Sequence, residues 1–370
     1  MSVPSFNIGI EEEYQTVDPV TCDLRSHIQM EIIEKGNRQL HERVKAEMHQ
    51  SVVEVGTGVH QTVSEAAEDL KNLRRRMIAL TEENGLRLVA GATHPFADWR
   101  EQDIYPDERY RQVVEDMQMV ARANLIFGLH VHIGIEDKET LIHLMNQLRY
   151  FLPHLLALST NSPFWIGMNT GLKSYRCKVF DRFPRTNIPD TFSSWSDFEN
   201  FVNLLVRTRC IDNAKKIWWD VRPHPFFGTL EVRICDIPMR VDETIALAAL
   251  LQATLVKLYR LHARNMGWRL YGRALIMENK WRASRYGLDG QLIDFGRERE
   301  VPERELIAEY LDFVDDVLDE LGSRKAVETV SWILKHGSGA DRQLRVYQES
   351  GQDFKTVVQY MIEETKAGLD

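Results

Sequence analysis

The chain has few cysteines, and none of them stands in a paired motif. Its 370 residues include four cysteines, which are Cys22, Cys177, Cys210 and Cys235. This spacing contains no Cys-x-x-Cys pair, so the sequence indicates neither a disulfide framework nor a zinc knuckle. Residues 1–5 lack the basic and apolar regions of a signal peptide. We therefore predict a cytoplasmic protein with reduced thiols.

The sequence also lacks long apolar runs and an excess of positive charge. No uninterrupted apolar stretch reaches the roughly 18 residues that a membrane span needs. The formal net charge is −9, whereas a duplex-binding protein usually has a concentrated basic face. The clearest basic run is Arg74-Arg75-Arg76, and the acids around it predict a solvated helix face of mixed charge. We expect neither a membrane nor a nucleic acid as a partner.

Several well-known nucleotide and hydrolase motifs are missing. The sequence has no Gly-x-x-x-x-Gly-Lys-Ser/Thr phosphate loop and no Gly-x-Gly-x-x-Gly fingerprint. It also has no His-Glu-x-x-His zinc helix and no Gly-x-Ser-x-Gly elbow. If a nucleotide binds, carboxylate-held metal ions are the obvious substitute for a phosphate loop, because Mg²⁺ prefers oxygen ligands shared between protein and phosphate.

Strand and helix patterns mix without a regular βαβ rhythm. Hydrophobic residues make up 44% of the chain and charged residues 27%, which is ample for a large core. We predict an α+β fold with a largely antiparallel sheet, in one continuous domain over residues 1–370 whose last third is mainly helical. Residues 161–195 hold few periodic stretches and several turn residues, so we predict that this segment is a lid loop.

Particular residues predict where helices begin, end or bend. Thr62 and Glu65 form a capping-box pattern that begins a helix ended by Gly85. Helical periods also cover Ile28–Ala46, Asp107–Ala123 and Lys138–Ser159. We expect Gly36 to weaken or split the first of these helices and Pro153 to bend or interrupt the last.

The first strand places two acids on one face. In Phe6–Tyr14, a period of two puts Phe6, Ile8 and Ile10 on one face, and Glu11 and Glu13 on the other. No basic residue stands beside these two acids in the sequence. Like charges side by side are unfavourable without a compensating cation.

Two later strands repeat this arrangement. His130 and His132 share a face of Gly128–Gly134, and Glu231 and Arg233 share a face of Gly228–Asp236. A half-buried strand with a solvent-facing side shows the same alternation. The three strands together, however, are richer in metal-ligand types than ordinary solvated faces, so we predict a metal site.

A further acidic pair, Glu47 and Glu54, belongs to the same hypothesis. Their seven-residue offset puts them on opposite faces of a flat strand, so a turn or bulge must intervene if both face one cleft. Carboxylates with a histidine suit Mg²⁺ or Mn²⁺ better than a soft metal.

Several of these stretches match a known family in order and spacing. They are Gly9–Tyr14, Thr93–Phe96, His130–Gly134, Trp219–Pro223 continuing into Gly228–Arg233, and Arg282–Leu288. The chain resembles the short bacterial carboxylate–amine ligases of the glutamate–cysteine ligase type 2 family over most of its length. The resemblance implies a glutamine-synthetase-like catalytic fold, in which helices flank a curved antiparallel sheet that forms a funnel-shaped active site.

The resemblance also implies a reaction. ATP phosphorylates a substrate carboxylate, commonly the γ-carboxylate of glutamate, and an amine attacks the acyl phosphate to form an amide. Cysteine is the family's default amine, and the cofactors would be ATP with Mg²⁺ or Mn²⁺. The partners we expect are therefore small molecules, and the large helical surfaces lead us to predict a homodimer.

Carried over residue by residue, the resemblance assigns roles to this chain. The implied metal ligands are Glu11, Glu13, Glu47, Glu54, His130 and Glu231. The implied catalytic residue is Arg233, which would meet the substrate carboxylate. Arg282 and Arg285, three residues apart on a predicted helix, are further catalytic candidates that would reach phosphate or the leaving group; the alternative is a basic pair on the surface. The residues expected to contact ATP or substrate are Arg222, His132, Arg185 and Asn279.

Two other classes of function use the same acids. A multi-metal hydrolase, such as a phosphatase or an amidase, would need the carboxylates but neither a nucleotide nor Arg233. A non-catalytic binding protein could keep the fold, although such a protein has little reason to retain unpaired like charges.

Overall fold

The computed structural model describes residues 3–27, 31–40 and 43–369. In chain order, the strands in these ranges are β1 (Ile8–Val17), β2 (Val44–Ala46), β3 (Val52–Gly56), β4 (Arg87–Val89), β5 (Leu129–Gly134), β6 (Phe164–Trp165), β7 (Met168–Asn169), β8 (Val221–Pro223), β9 (Thr229–Val232), β10 (Gln291–Asp294) and β11 (Arg299–Pro302). Seven of them form one sheet in the order β2-β3-β1-β5-β9-β8, with β4 also paired to β1. Every pairing in this sheet is antiparallel.

Helices surround this sheet and fill the C-terminal third. In chain order they are α1 (Ile32–Leu40), α2 (Val63–Glu83), α3 (Glu108–Met117), α4 (Met119–Arg122), α5 (Lys138–Leu148), α6 (Leu152–Ser159), α7 (Arg176–Phe180), α8 (Trp195–Arg207), α9 (Val241–Ala263), α10 (Arg273–Tyr286), α11 (Glu303–Leu318), α12 (Arg324–Val327), α13 (Thr329–His336), α14 (Gly339–Glu349) and α15 (Phe354–Lys366). The predicted α+β fold with a large antiparallel sheet is confirmed.

One face of the sheet packs against α2 and α9. It buries Ile8 and Ile10 of β1 completely or nearly so, in agreement with the predicted alternation. Helix α9 is, by length and composition alone, apolar enough to cross a membrane, but 78% of its most apolar window is buried inside the protein. The core helix of a globular protein has this same pattern.

The solvated basic face predicted for Arg74-Arg75-Arg76 is wrong for Arg74. Its side chain is fully buried and forms an ion pair with Glu12 on the helix-packed face of β1. Arg74 lies four residues after Leu70 and three before Met77, so helical periodicity places it on the buried stripe of α2. Its guanidinium also donates to the carbonyl oxygen of Met239 over 2.7 Å.

Helix boundaries follow their local signals where the chain provides them. The capping box of Thr62 and Glu65 is present at the start of α2, and Gly85 follows its end with a φ of +74°. Pro153 lies in the first turn of α6, so it separates α5 from α6 as predicted. The helix predicted over Asp107–Ala123 is divided at Gln118, whose φ is +52°.

The helix predicted over Ile28–Ala46 is wrong in its last part. The structure places α1 at Ile32–Leu40 and then an edge strand, β2, which pairs with β3. Residues 28–30, 41 and 42 lie outside the described residues. Pairing with a neighbouring strand outweighs the helical period here, since tertiary context routinely overrides local propensity.

The segment predicted as a lid, residues 161–195, contains β6, β7 and α7. Its first part is anchored by Asp236, which accepts hydrogen bonds from the backbone of Asn161 over 2.8 Å and the hydroxyls of Ser162 and Ser174 over 2.7 and 2.9 Å. Residues 161–165 are buried, whereas residues 167–169 are exposed. The segment is thus anchored at its start, and its role as a lid stays a prediction, as does the single-domain organisation.

Candidate active site

The second face of the sheet gathers polar side chains from six strands. Antiparallel register sets Glu11 opposite His130, Glu13 opposite Glu54, His132 opposite Glu231, Arg222 opposite Glu231, and Lys45 opposite Glu54. Residues directly opposite each other on antiparallel strands have side chains about 5 Å apart on the same face. The alternation seen in three separate stretches of sequence therefore produces one continuous polar surface.

Two groups of this surface could each hold a metal ion. Glu11, Glu54 and His130 form one, and Glu13, Glu47 and Glu54 form the other; in each group the potential ligand atoms lie within 4.8 Å of one another. Glu54 belongs to both. The buried Nδ1 of His130 has no hydrogen-bond partner among the described residues, so it is available as a ligand. Oxygen ligands with one imidazole fit Mg²⁺ or Mn²⁺.

A reversal of the chain brings Glu47 beside Glu54. Strand β2 ends at Ala46, and the chain turns over residues 48–51 before β3 begins at Val52. His49 forms an isolated bridge with Ile104 within this turn. The prediction that a turn or bulge must intervene between the two acids is therefore confirmed.

Burial and mutual repulsion make the second group electrostatically unfavourable as it stands. Burial and the nearby charge of Glu54 raise the pKa of Glu13 to about 7. Burial and Glu13 raise the pKa of Glu47 to about 7. For Glu54, burial together with the charges of Glu11 and Glu47 raises the pKa to about 8. A divalent cation would neutralise these carboxylates and displace their protons.

Glu11 of the first group shows the opposite effect, because its neighbours favour the charged form of the carboxyl. Burial disfavours the charged form of Glu11, yet contacts with His130 and His132 and the charge of Lys45 hold the pKa of this carboxyl well below its usual value. Burial and the charge of Arg233 lower the pKa of His130 to about 3. The imidazole is therefore neutral near pH 7, which is the form that binds metal ions.

Lys45 is a residue that the sequence analysis missed. Its Nζ lies 3.1 Å from Oε1 of Glu11 and 2.8 Å from Oε1 of Glu54. This ammonium group stands in for a metal cation between two acids of the first group. The signal was present in the Val44-Lys45-Ala46 alternation of β2, but the helical period assigned to that stretch concealed it.

Glu231 is held by two guanidinium groups. Arg222 donates to its two oxygens over 2.8 and 3.2 Å, and Arg233 donates to Oε1. Burial works against the charged form, but the two arginines keep the pKa of Glu231 well below its ordinary value. Glu231 belongs to neither metal-binding group of the described residues, so its role as a ligand stays a prediction.

Two cavities meet at the acidic surface. The inner cavity has a volume of about 140 Å³, and its wall includes Glu13, Glu47, His130, Arg176, Arg233 and Trp218. The outer cleft has a volume of about 600 Å³, and its wall includes Glu11, Arg43, Lys45, His132, Phe226 and Phe227. The first metal-binding group has a member on each of them, so the candidate cation sites join the two spaces.

Comparison with known proteins identifies the family. The model of glutamate–cysteine ligase family 2 (GCS2) matches residues 7–360. A relative from Solibacter usitatus, provisionally named glutamate–cysteine ligase 2, is 69% identical over 366 residues, which cover 99% of this chain and 95% of the relative. A relative of the same name from Herpetosiphon aurantiacus is 57% identical over 98% of this chain and 94% of its own length.

The chain belongs to glutamate–cysteine ligase family 2.

Solved structures of other ligases have the same fold as this family member. Glutamate–cysteine ligase from Francisella tularensis, in complex with AMP, has a TM-score of 0.70 and 13% identity, covering 98% of this chain and 90% of its own. A bifunctional glutathione synthetase from Pasteurella multocida has a TM-score of 0.69 and 14% identity, covering 98% of this chain and 52% of its own. The predicted family and enzyme class, an ATP-dependent carboxylate–amine ligase, are confirmed.

The two arginines expected to act from α10 of this ligase lie outside both cavities. Arg282 forms ion pairs with Glu278 and Glu300. Arg285 lies over the ring of its neighbour Tyr286, with Cζ 4.9 Å from the ring centroid. The buried side of α10 packs against α6, and both arginines lie on its partly exposed sides. The geometry therefore gives no support to their predicted catalytic role.

Asn279 and Arg185 are also absent from the cavity walls. The side-chain amide of Asn279 is hydrogen-bonded on both sides to the backbone of Ile293 in β10, where it fixes the hairpin to α10. Arg185 donates to the carbonyl oxygen of Lys216 over 2.9 Å and lies over the ring of Trp218. These contacts support the surrounding structure, so the predicted contacts with ATP or substrate have no support in the geometry.

Three other predicted residues do lie at the site. Arg233 lines the inner cavity, and His132 lines the outer cleft with its Nδ1 3.1 Å from the hydroxyl of Thr229. Arg222 is buried behind Glu231 and donates to the carbonyl oxygen of Lys215 over 2.9 Å. Arg222 thus positions Glu231 and lines neither cavity.

Proposed function

We propose that this enzyme joins the γ-carboxylate of glutamate to an amine, with cysteine as the first candidate, through an acyl phosphate made from ATP. The observation that carries the proposal is the pair of metal-binding groups sharing Glu54 between a small inner cavity and a larger outer cleft. Phosphoryl transfer requires positioning and charge neutralisation more than covalent participation of the protein. The polar face of the sheet can supply both the positioning and the charge neutralisation.

The acids and the histidine would hold divalent cations. Glu11, Glu54 and His130 are the ligands available to one ion, and Glu13, Glu47 and Glu54 to the second. When bound, such ions neutralise the phosphates of ATP and the charge that develops on the transferring phosphoryl group. The raised pKa values of the second group and the unpartnered Nδ1 of His130 fit this use.

The outer cleft has the properties expected of a nucleotide site. Its volume of about 600 Å³ is within the usual range of small-molecule sites. Lys45 lines it beside the first metal-binding group and offers a positive charge to phosphate. Phe226 and Phe227 are 65% and 67% exposed at its wall, and exposed aromatic rings are suitable platforms for a nucleobase.

The inner cavity has the properties expected of the carboxylate donor site. It is the smaller of the two and is lined by Glu13 and Glu47 on one side and Arg233 on another. Arg233 is partly buried and its buried Nε has no hydrogen-bond partner among the described residues, while its Nη1 donates to Glu231. Glu231 and Arg222 therefore orient a guanidinium group that can donate to the carboxylate, and later to the acyl phosphate.

Membership of a ligase family favours this reaction over a multi-metal hydrolase, which would use the same acids. The deciding assay incubates the protein with ATP, Mg²⁺ or Mn²⁺, glutamate and a panel of amines including cysteine. We expect ADP formation that requires both glutamate and an amine, and a product whose mass is the sum of the two minus water. Phosphate release without an amine requirement would support the hydrolase instead.

The matched variants for this assay are Glu54→Gln and Glu68→Gln. Glu54 is shared by both metal-binding groups, whereas Glu68 is exposed on α2. The proposal predicts that only the first substitution abolishes amine-dependent ADP formation. Equal activity of the two variants would contradict it.

A further inference from the structure

A cluster of charged side chains beside the outer cleft is separate from both metal-binding groups of the described residues. Asp69 of α2 accepts a hydrogen bond from Nη1 of Arg43 over 2.5 Å. It accepts a second from the backbone N–H of Gly58 over 2.9 Å and a third from Nε2 of His60 over 2.8 Å. Arg43 and Gly58 line the outer cleft, whereas Asp69 is not part of its wall. The carboxylate that joins these groups therefore lies outside the candidate cation sites.

Asp69 projects from a well-packed part of the fold. It lies on α2 directly before Leu70, which is fully buried, and its own side chain is 13% exposed. Burial disfavours the charged form of Asp69, but hydrogen bonds from Gly58 and His60 and the charge of Arg43 hold the pKa of this carboxyl below its ordinary value. Asp69 is therefore ionised near pH 7 and can fix the groups that donate to it.

The donors to Asp69 belong to two separate parts of the cleft wall. Residues 56–59 form one part, directly after β3 begins to leave the sheet, and Arg43, directly before β2, forms the other. A Cβ atom at Gly58 would lie 3.6 Å from Nη2 of Arg43 and 3.7 Å from Oδ2 of Asp69. The backbone of the loop is thus in van der Waals contact with the ion pair, and Asp69 fixes the loop and the arginine relative to each other.

Arg43 differs from Lys45, the lysine of the same cleft wall, in the partner that it has. Lys45 pairs with Glu11 and Glu54, which belong to the first metal-binding group. A divalent cation would compete with Lys45 for these acids, but it would not compete with Arg43 for Asp69. Arg43 can therefore keep its partner when cations are bound. Its side chain is 38% exposed, so the guanidinium can also donate to an anion in the cleft.

We propose that Asp69 is a positioning residue for the nucleotide, which acts through Arg43 on the phosphates of ATP. This inference rests on the proposed function, because that function makes the outer cleft the nucleotide site. Asp69 touches neither ATP nor the reacting atoms. It immobilises the guanidinium of Arg43 before ATP binds, and so removes the ordering cost that a free arginine side chain would add to binding. This role predicts a change in KM for ATP with little change in kcat.

Steady-state kinetics of the amide-forming reaction test the role of Asp69. Asp69→Ala should raise KM for ATP by about five- to tenfold, which is the cost of ordering one long side chain, and leave kcat within about twofold. Glu68→Ala, at the neighbouring exposed position of α2, is the matched control and should change neither constant. An unchanged KM for ATP in Asp69→Ala would overturn the proposal.

A double-mutant cycle separates positioning from damage to the fold. Arg43→Gln removes the group through which Asp69 acts, so Arg43→Gln combined with Asp69→Ala should have a KM for ATP within about twofold of that of Arg43→Gln alone. Two effects that multiply would mean that Asp69 acts independently of Arg43, which overturns the proposal. If Asp69→Ala does not fold, Asp69→Asn takes its place in the cycle, because its amide oxygen can still accept from Gly58 while the charge that attracts Arg43 is gone.

Binding without turnover distinguishes a failure of this proposal from a failure of the proposed function. Titration calorimetry in Mg²⁺ compares ATP with adenosine. Asp69→Ala should weaken ATP binding by about five- to tenfold and leave adenosine binding unchanged, since Arg43 acts on the phosphates. Equal weakening of both ligands overturns the proposal. If the natural protein binds ATP but makes no amide, the proposed reaction fails and this comparison still decides the role of Asp69. A natural protein that does not bind ATP contradicts both.

Discussion

Neighbouring residues of β1 meet opposite electrostatic conditions on the two faces of the central sheet. On the helix-packed face, Glu12 forms an ion pair with Arg74 and accepts a hydrogen bond of 2.6 Å from the hydroxyl of Thr244. On the other face, Glu13 lies near Glu54 and its pKa rises to about 7. Glu12 is fully buried and Glu13 is partly buried, and of the two only Glu12 forms an ion pair among the described residues. An acid whose charge is neutralised by a residue of the fold has a structural role. An acid without such a counter-charge is a candidate ligand for a cation.

The largest effect should follow from replacing Glu54, the acid that both metal-binding groups share. We expect Glu54→Gln to lower kcat/KM of the ligase reaction by about 10³-fold, or about 4 kcal/mol of transition-state stabilisation, since both metal-binding groups lose a ligand. The metal-free protein should be no less stable, because the substitution removes repulsion. Steady-state kinetics measure the loss of kcat/KM, and denaturant unfolding measures the stability of the metal-free protein. A large loss of stability in the metal-free variant would show that Glu54 stabilises the fold, which would contradict the difference drawn between the two faces of the sheet.

The reverse result is expected on the helix-packed face. Glu12→Gln leaves the guanidinium of Arg74 buried without its counter-charge, which costs about 3 to 5 kcal/mol of unfolding free energy. Urea unfolding measures this loss. Replacing both residues together, as Glu12→Leu with Arg74→Leu, should recover a large part of it. A single variant as stable as the natural protein would show that the pair is not structural.

The pH dependence of the unfolding free energy should distinguish the two faces of the central sheet without any mutation. Glu13, Glu47 and Glu54 have folded pKa values of about 7 to 8, above the unfolded value of 4.5, so the folded state binds more protons. Stability is then lost as the pH rises through this range, with a slope of about 1.4 kcal/mol per pH unit for each proton. Denaturant unfolding of the metal-free protein between pH 6.5 and 8.5 measures it.

Two controls make this prediction specific. Buried histidines whose pKa is lowered, such as His49 at about 4, add stability as the pH rises toward 6.5 and little above it, so the window avoids their opposite effect. Saturating Mn²⁺ should abolish the decline and add about 2.7 kcal/mol at a hundredfold excess over Kd. In Glu54→Gln the metal-free decline should be shallower. A metal-free stability that rises with pH in this window contradicts the prediction.

The smallest effect concerns Lys45, which forms ion pairs with Glu11 and Glu54. Lys45→Met removes a positive charge beside Glu11 and Glu54, so we expect Mn²⁺ to bind about two- to fivefold more tightly, a modest change because half of the lysine side chain is exposed. Titration calorimetry measures Kd. Lys325→Met, at an exposed position on α12, should change nothing. Weaker Mn²⁺ binding in Lys45→Met would mean that the lysine organises the acids.

Much of the site was predictable because strand alternation is a local property. A period of two assigned Glu11 and Glu13 to the face opposite Ile8 and Ile10, and the same rule placed His130 correctly. The need for a turn between the acids at positions 47 and 54 followed from the same geometry. The register that aligns these strands depends on contacts distant in sequence, so alternation alone did not provide it.

Other features could not be predicted because they depend on tertiary context. Lys45 falls in a three-residue edge strand, and the helical period assigned to that stretch concealed its alternation. Arg176 lies in a segment without periodicity, and its place in the cavity depends on the close approach of Gly128. The prediction for Arg282 rested on its spacing of three residues from Arg285 on a predicted helix, and this spacing does not state which side of α10 faces the cleft.

The most direct test of the shared-acid site is a Mn²⁺ titration of the natural protein and three single variants at pH 8. The natural protein should bind two ions. Glu11→Gln and Glu13→Gln should each lose one, and Glu54→Gln should lose both. Two undiminished Mn²⁺ sites in Glu54→Gln would contradict the shared-ligand arrangement from which the proposed function follows.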